Sequence, residues 1–342
     1  MGQQPESRPG LVVAGLMVAD VVVKPFTGLP EEGDVVEMES IELHSGGDAL
    51  NTALTLAALG HRPALVGCVG EDAFGRFLIE ELQAYGVDVS YVCRHPQAPT
   101  AACTVLVAPD GQRHFLYQPG ANRRLTADLI APALSSSGGG YAGLHVGSLL
   151  ALPALEEGLP ALFARVRQEG GWTSFDVTWD RRGRWLEAIR PLLPHTSVFL
   201  PSEMEARQLT GREDPWEMAR FLKDQGPEVV VLKLGERGCL WWDDHGGGLV
   251  PAKPGPVVDT TGAGDSFVAG FLSGRLEGLA VEACCHRAVA VAALGVGGLG
   301  ADAAARRLRE IGGLRIAEAD SADGGPKGTV AFRRGAPPCP NG

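Results

Sequence analysis

From Tyr141 to Leu276 the chain alternates short apolar runs with amphipathic ones, and this alternation constrains its fold more than any other feature. The stretches 141–150 (YAGLHVGSLL), 171–177 (GWTSFDV), 196–202 (TSVFLPS) and 229–238 (VVVLKLGERG) are strand-like and apolar nearly throughout. Segments 155–171, 203–211 and 265–276 carry helical patterns around and between them. A strand without clean polar alternation is buried on both faces. Strands joined through helices return to the same end of a sheet, so they pair in parallel. The pattern predicts an α/β fold: a doubly wound, mostly parallel sheet with helices on both faces.

The N-terminal part adds to this core. Leu11–Val23 (LVVAGLMVADVVV) reads as a buried first strand, broken by Gly15 and ending near Asp20. Segment 63–70 (PALVGCVG) reads as a second buried strand. Helices are expected over Ala49–Gly60, with a glycine stop, and over Asp72–Gly86, with Asp72 as N-cap and Gly86 at its end. Asp34–Gly47 alternates apolar and polar residues as a half-exposed antiparallel strand does. In Thr100–Asn122 two strand-like runs flank Pro-Asp-Gly, a hairpin turn. These last two segments do not fit the parallel core and predict a small antiparallel sheet set as a flap over the C-terminal edge of the main one. From Leu314 onward the chain is rich in Gly, Pro and Ala without period, so disorder is expected there, with at most one weak strand at 328–332 (GTVAF).

Composition excludes several classes of function. With 342 residues, 45% hydrophobic and 21% charged, a buried core of one large domain is expected. A formal net charge of -11 argues against nucleic acid, which demands a concentrated basic surface, but not against a nucleotide. The 7 cysteines include no C-x-x-C pair, so reduced, mostly buried thiols are expected rather than zinc or disulfides. The N-terminal MGQQPESRPG has no apolar signal core, and Glu6 breaks the myristoylation pattern. No apolar stretch approaches the roughly 18 residues of a membrane span. A cytoplasmic protein without membrane partners is the expectation.

Two glycine-rich stretches carry the chemistry. A third, Gly295–Gly300 (GVGGLG), matches the dinucleotide fingerprint letter for letter, but it follows a helix-like segment instead of a strand and reads as a helix exit. No Walker-type phosphate loop and no protein-kinase motif set occurs. In Val257–Phe267 (VVDTTGAGDSF), Val257 and Val258 read as a strand end and SFVAGFLSG as a helix start. Between them Gly262, Ala263 and Gly264 offer backbone N–H groups with almost no side chain in the way, at the positive end of a helix. Asp265 is either an N-cap or an acid aimed at a ligand; the stretch alone leaves both open. His44–Gly60 repeats the layout, with Gly46 and Gly47 before a helix and Asn51 in its first turn, where a carboxamide offers both donor and acceptor or simply faces solvent.

Together these stretches resemble the ribokinase-like (PfkB) carbohydrate kinase family. Gly46, Gly47, Ala49, Asn51, Ala53, Gly60 and Gly70 fill its first signature, and Asp259, Thr260, Gly262, Ala263, Gly264, Asp265, Ala269 and Gly270 its second. Shorter similarities lie between them, so that the resemblance runs from Leu11 to Leu308. It implies a ribokinase-like kinase domain over 11–313, with lid segments at about 16–47 and 96–122 and a tail at 314–342. It implies an ATP-dependent phosphotransferase with an alcohol acceptor, a sugar hydroxymethyl. Asp265 would be the general base, and Gly262, Ala263 and Gly264 the anion hole. Asp20, Gly46, Gly47, Asp48 and Asn51 would bind the sugar. Ser202 and Glu205 align with an Asn-x-x-Glu motif that organises Mg²⁺ and phosphate, with Ser in place of Asn, so Glu205 would act on Mg²⁺ indirectly. Lys233, Gly235 and Gly238 align with the nucleotide loop, with Lys233 in place of the usual Thr. Asp259 and Thr261 match positions that hold a monovalent cation, K⁺, in several members. In many relatives the lids of two subunits pack together, which implies a homodimer through the lid.

The resemblance leaves the substrate open. GGD-x-LN is similar to 2-keto-3-deoxygluconate kinases and to uncharacterised sugar kinases, while an acid at Asp48 favours a neutral polyol over an anionic sugar acid. A nucleoside kinase is the second enzymatic reading, against which the 6% aromatic content weighs slightly. A catalytically weak sugar- or nucleotide-binding regulator is the third. The replacements at Ser202 and Lys233 and the tail motivate it, and the intact Gly262–Asp265 set argues against it.

Overall fold

The computed structural model describes residues 10–135, 141–312, 315–316 and 330–331. Its strands are β1 (Gly10–Ala14), β2 (Val18–Lys24), β3 (Ser40–Gly46), β4 (Pro63–Val66), β5 (Cys68–Gly70), β6 (Cys93–His95), β7 (Ala102–Val107), β8 (Arg113–Gln118), β9 (Tyr141–Val146), β10 (Trp172–Phe175), β11 (Val198–Phe199), β12 (Val229–Lys233), β13 (Cys239–Asp243) and β14 (Gly246–Val250). The helices are α1 (Asp48–Ala58), α2 (Ala73–Ala84), α3 (Ala127–Ser135), α4 (Leu159–Gln168), α5 (Leu186–Ile189), α6 (Glu203–Thr210), α7 (Pro215–Lys223), α8 (Ala263–Leu276), α9 (Val281–Val296) and α10 (Ala303–Glu310). An 8-stranded sheet runs in the order β14-β13-β12-β11-β10-β9-β1-β4. It is parallel from β12 to β4, and β13 and β14 form an antiparallel edge.

Successive side chains of a strand point to opposite faces. In β1, Val12 and Ala14 join a cluster with residues of α3, α4, α6 and α7. Leu11 and Val13 join another with α1, α2, α8 and α9. In β12, Val230 and Leu232 belong to the first cluster and Val231 to the second. The rings of Phe175 and Phe199 stack in adjacent strands at 4.4 Å between centroids. This two-sided burial is what the uninterrupted apolar runs required, and the doubly wound architecture read from them is the one observed.

The segments expected to form a lid make a separate 4-stranded sheet, the lid sheet, in the order β3-β2-β7-β8. It pairs antiparallel between β2 and β3 and between β7 and β8, and parallel between β2 and β7. Leu11–Val23 is therefore not one strand. The chain leaves the main sheet at Gly15, where an added Cβ would lie 3.0 Å from both the Gly147 carbonyl and the Ala49 Cβ, and re-enters as β2 in the lid. Segment 63–70 is likewise split at Gly67, after which β5 pairs with β6 outside the main sheet. The expected strand at Asp34–Gly47 begins only at Ser40, and Val35 before it is exposed.

Val257 and Val258 also depart from expectation. They form no strand; both are exposed, and the Val258 amide donates to the Val296 carbonyl at the end of α9. The Gly295–Gly300 stretch is the helix exit it was read to be. Asp72 caps α2 by accepting from the Gly75 amide at 2.8 Å. Cys68, Cys93, Cys103, Cys239, Cys284 and Cys285 are free thiols, and all but Cys93 are buried. No helix among the described residues is long and apolar enough to cross a membrane. Of the tail, Arg315–Ile316 and Val330–Ala331 pair as an antiparallel ladder, the latter inside the stretch read as a weak strand. The rest of the tail, Cys339 and the first nine positions lie outside the described residues.

Candidate active site

The sequence-predicted residues gather at the carboxyl ends of the parallel strands, where open α/β sheets place their ligands. Asp176 follows β10, Ser202 follows β11 and Lys233 ends β12. Over these ends lie the N-termini of α1 and α8. Each is opened by a glycine that no other residue replaces without strain. Gly47 has φ 93°, and a Cβ there would sit 2.4 Å from the Leu16 carbonyl. Gly262 has φ 70°, and its Cβ would sit 2.4 Å from the Ala301 carbonyl.

Gly262 is the N-cap of α8, so Asp265 lies in the first turn and not at the cap. Its Oδ2 accepts from Asn51 Nδ2 at 2.7 Å, which ties the first turns of α8 and α1 together. Burial raises the Asp265 carboxyl above its ordinary range and the nearby Asp176 charge adds to this, while the Asn51 donor and the Lys233 ammonium pull it back.

Beside this pair stand two more carboxylates. Asp48 is 8% exposed and accepts from the Leu16 amide at 3.0 Å through Oδ1. Its Oδ2 is buried without a hydrogen-bond partner, as is Asn51 Oδ1. Burial, with the charges of Asp176 and Asp265, holds the Asp48 carboxyl well above the usual range. Asp20, on β2 of the lid, is pushed up to about 7 by burial and then by the Asp265 charge. Its carboxylate rests on Gly46, where a Cβ would come within 2.1 Å of Oδ2.

On the other flank, Lys233 Nζ is 3.2 Å from Asp176 Oδ2. Burial alone would lower the ammonium, but Asp176, Glu205 and Asp265 together raise it, so it stays charged. Nζ also stands 3.8 Å from the position a Cβ on Gly264 would take, so a fixed cation faces the glycine turn. Ser202 and Glu205 form a reciprocal capping box on α6, with the Ser202 amide on Glu205 Oε2 at 2.7 Å and the Glu205 amide on Ser202 Oγ at 3.3 Å. Gly235, at φ 60°, looks into open space. Gly238 serves the β13–β14 hairpin, since its Cβ would be 2.0 Å from the Val250 carbonyl.

Asp259 is 6% exposed and holds the turn from below. It accepts from the Thr261 amide at 2.7 Å, the Gly300 amide at 3.0 Å and Arg113 Nη2 at 2.6 Å. Burial pushes its carboxyl up, but these donors outweigh burial and leave it low.

The family model for pfkB family carbohydrate kinases matches residues 9–307. The chain belongs to this family. This kinase is 34% identical over 233 residues to an uncharacterized sugar kinase of Archaeoglobus fulgidus, covering 67% of this chain and 89% of that one. It is 32% identical over 235 residues to the aminoimidazole riboside kinase of Salmonella typhimurium, covering 66% of this chain and 72% of that one. The structure of Arabidopsis thaliana ribokinase with ribose and ATP superposes with a TM-score of 0.74 at 27% identity.

 The matched part amounts to 88% of this chain and 99% of the Arabidopsis protein. As a family member, the kinase is a phosphotransferase that acts on an alcohol group.

Several residues of the site were not singled out from the sequence. Asp176 was read only as the end of a strand, yet it anchors Lys233. Arg113 and Phe115 lie in DGQRHF, one of the shorter similarities to the family, and were given no role there. Their signal was the alternation in RHFLYQ, which puts Arg113, Phe115 and Tyr117 on one face of β8. Arg113 and Phe115 line a pocket with Asp20, Glu42 and Asp259. Gly300, in the stretch set aside as a mere helix exit, supplies one of the donors to Asp259.

Proposed function

We propose that this kinase transfers the γ-phosphoryl group of ATP to the hydroxymethyl of a neutral sugar. The observation that carries the reading is the placement of Asp265: a half-buried carboxylate hydrogen-bonded to Asn51, one residue beyond a glycine turn that faces the Lys233 ammonium. Asp265 takes the proton of the attacking hydroxyl as the hydroxyl oxygen bonds to the γ-phosphorus and the bond from that phosphorus to the ADP oxygen breaks. The backbone N–H groups of Gly262, Ala263 and Gly264 stabilise the charge on the transferring group, and Lys233 adds a cation beside them. The buried, unpartnered Asp48 Oδ2 and Asn51 Oδ1 suit a ligand rich in hydroxyl donors, because a bound polyol would satisfy both. Asp20, held over Gly46, would take a further hydroxyl and follow the lid as it closes.

Gly235 leaves room for the nucleotide next to Lys233, whereas Gly238 acts through the hairpin. Mg²⁺ would neutralise charge on the phosphate oxygens. No trio of His, Cys, Asp or Glu among the described residues forms a ready metal cage, which suits an ion held by phosphate and water. Glu205 would reach it through water. The outer face of the lid exposes Ile41, Leu43 and Leu116, an apolar patch that a second copy of the chain would cover in a homodimer.

A second reading has its own support. Phe115 is 59% exposed on the cleft face of the lid, where a ring could stack on a base, and the Salmonella relative is a riboside kinase by name. A coupled ADP-release assay over neutral sugars, sugar acids and ribosides tests both readings. Turnover confined to ribosides would overturn the neutral-sugar reading. No turnover with any acceptor, alongside ligand-induced thermal stabilisation, would overturn the kinase reading in favour of a binding regulator.

A further inference from the structure

The turn that carries the anion hole rests on Asp259, and the cation next to that carboxylate comes from the lid. Arg113 lies on β8, far from the turn in sequence, and its Nη2 is 2.6 Å from Asp259 Oδ1. The same oxygen accepts from the Thr261 amide, and Oδ2 accepts from the Gly300 amide. Both oxygens of Asp259 are thus engaged by donors, one of them a full positive charge. Arg113 is 22% exposed at its side chain and Asp259 6%, so water screens the pair only in part.

These residues do not fit an alkali-metal ion bound at Asp259. Such an ion takes oxygen ligands, and a guanidinium offers only donors. Arginine stays protonated at any working pH, and two cations against one carboxylate repel each other. We propose that Arg113 stands in for the monovalent cation, so that this kinase works without K⁺ and receives the charge beneath its anion hole from the lid. The inference rests on the kinase reading above. Arg113 touches no reacting atom in this scheme; it is a positioning residue acting through Asp259 on Thr261 and the amides of Gly262–Gly264.

The test compares turnover in KCl and in choline chloride at equal ionic strength, for the wild type and for Arg113→Ala. The wild type is expected to run equally fast in both salts. Arg113→Ala is expected to lose about 10²-fold in kcat in choline chloride, the cost of a misplaced catalytic turn, and to recover most of it in KCl but not in LiCl. Recovery by an ion of suitable size is an effect that a scaffold residue would not produce. Arg113→Lys, which keeps the charge, should stay independent of K⁺. If Arg113→Ala does not fold, Arg113→Met keeps the apolar stem and takes its place.

Activation of the wild type several-fold by K⁺ would overturn the proposal. So would a variant with no loss in choline chloride, or a loss that K⁺ does not relieve. If the wild type turns over no acceptor at all, the kinase reading fails, and melting temperatures then decide the cation question separately. K⁺-specific stabilisation of Arg113→Ala alone supports Arg113 as the built-in cation, and K⁺-specific stabilisation of the wild type overturns it.

Discussion

Asn51 Nδ2 donates to Asp265 Oδ2 at 2.7 Å, joining residues 214 positions apart in the chain. A carboxamide donor favours the ionised form of the acid it touches, so Asn51 holds down a carboxyl that burial pushes up. Replacing Asn51 with Leu should therefore raise the Asp265 pKa further. The acid limb of the pH profile of kcat/KM should move to higher pH. A limb that stays in place would show that Asn51 does not tune this group.

Asp265→Asn removes the proposed base while keeping the shape. A loss of about 10²–10⁴-fold in kcat is expected, in the range of general base catalysis, with nucleotide affinity by calorimetry nearly unchanged. A variant with near-normal kcat would rule out the base assignment.

Asp20 links pH to stability. Its carboxyl titrates near 7 in the folded chain, above its ordinary value of 3.8. The folded state then binds more protons than the unfolded one between those values, and this group's contribution becomes unfavourable as pH rises through the window. Asp20→Asn should melt a few degrees higher than the wild type at pH 8, and the gap should close as pH falls toward 4. A gap that widens in acid would contradict the assignment.

The contact between Gly46 and Asp20 separates sugar from nucleotide. In Gly46→Ala the new Cβ would displace the Asp20 carboxylate from its present place. The acceptor KM should rise about 10-fold, the worth of one good hydrogen bond, with the ATP KM unchanged. Equal rises in both would place the effect in the fold instead.

Lys233 and Asp176 form a partly desolvated ion pair at 3.2 Å. Lys233→Met removes the cation from the glycine turn and leaves Asp176 with the Ser148 amide but without a counter-charge. A fall in kcat of about 10²-fold is expected, comparable to the loss of an anion-hole donor, and the melting temperature should drop as well. Lys233→Arg should restore stability before activity, because a guanidinium keeps the charge but not the point-like geometry. Full activity of Lys233→Met would remove Lys233 from the proposed mechanism.

The parallel core was legible in the sequence because β-branched runs closed by helices have few other ways to bury both faces. The glycine turns were legible too, since positions such as Gly47 and Gly262 tolerate no side chain and their neighbours are correspondingly small. The sequence by itself also set Asn51 in the first turn of its helix and Asp265 at the start of another, leaving open whether Asp265 was the cap; the structure gives the cap to Gly262. The sequence did not say that Asn51 would bond Asp265, because hydrogen-bond partners far apart in the chain leave no periodic trace. Where Leu11–Val23 breaks into two sheets was decided by the approach of Gly147 and Ala49 to Gly15, a long-range steric fact. Val257 and Val258 carried β-prone side chains, yet the exit of α9 took the Val258 amide and no strand formed. Arg113 looked like one more charge on a hairpin. Only the tertiary structure, by laying the lid over the turn, brought its guanidinium to Asp259, because a strand's alternation says which face a residue shares and not what that face meets.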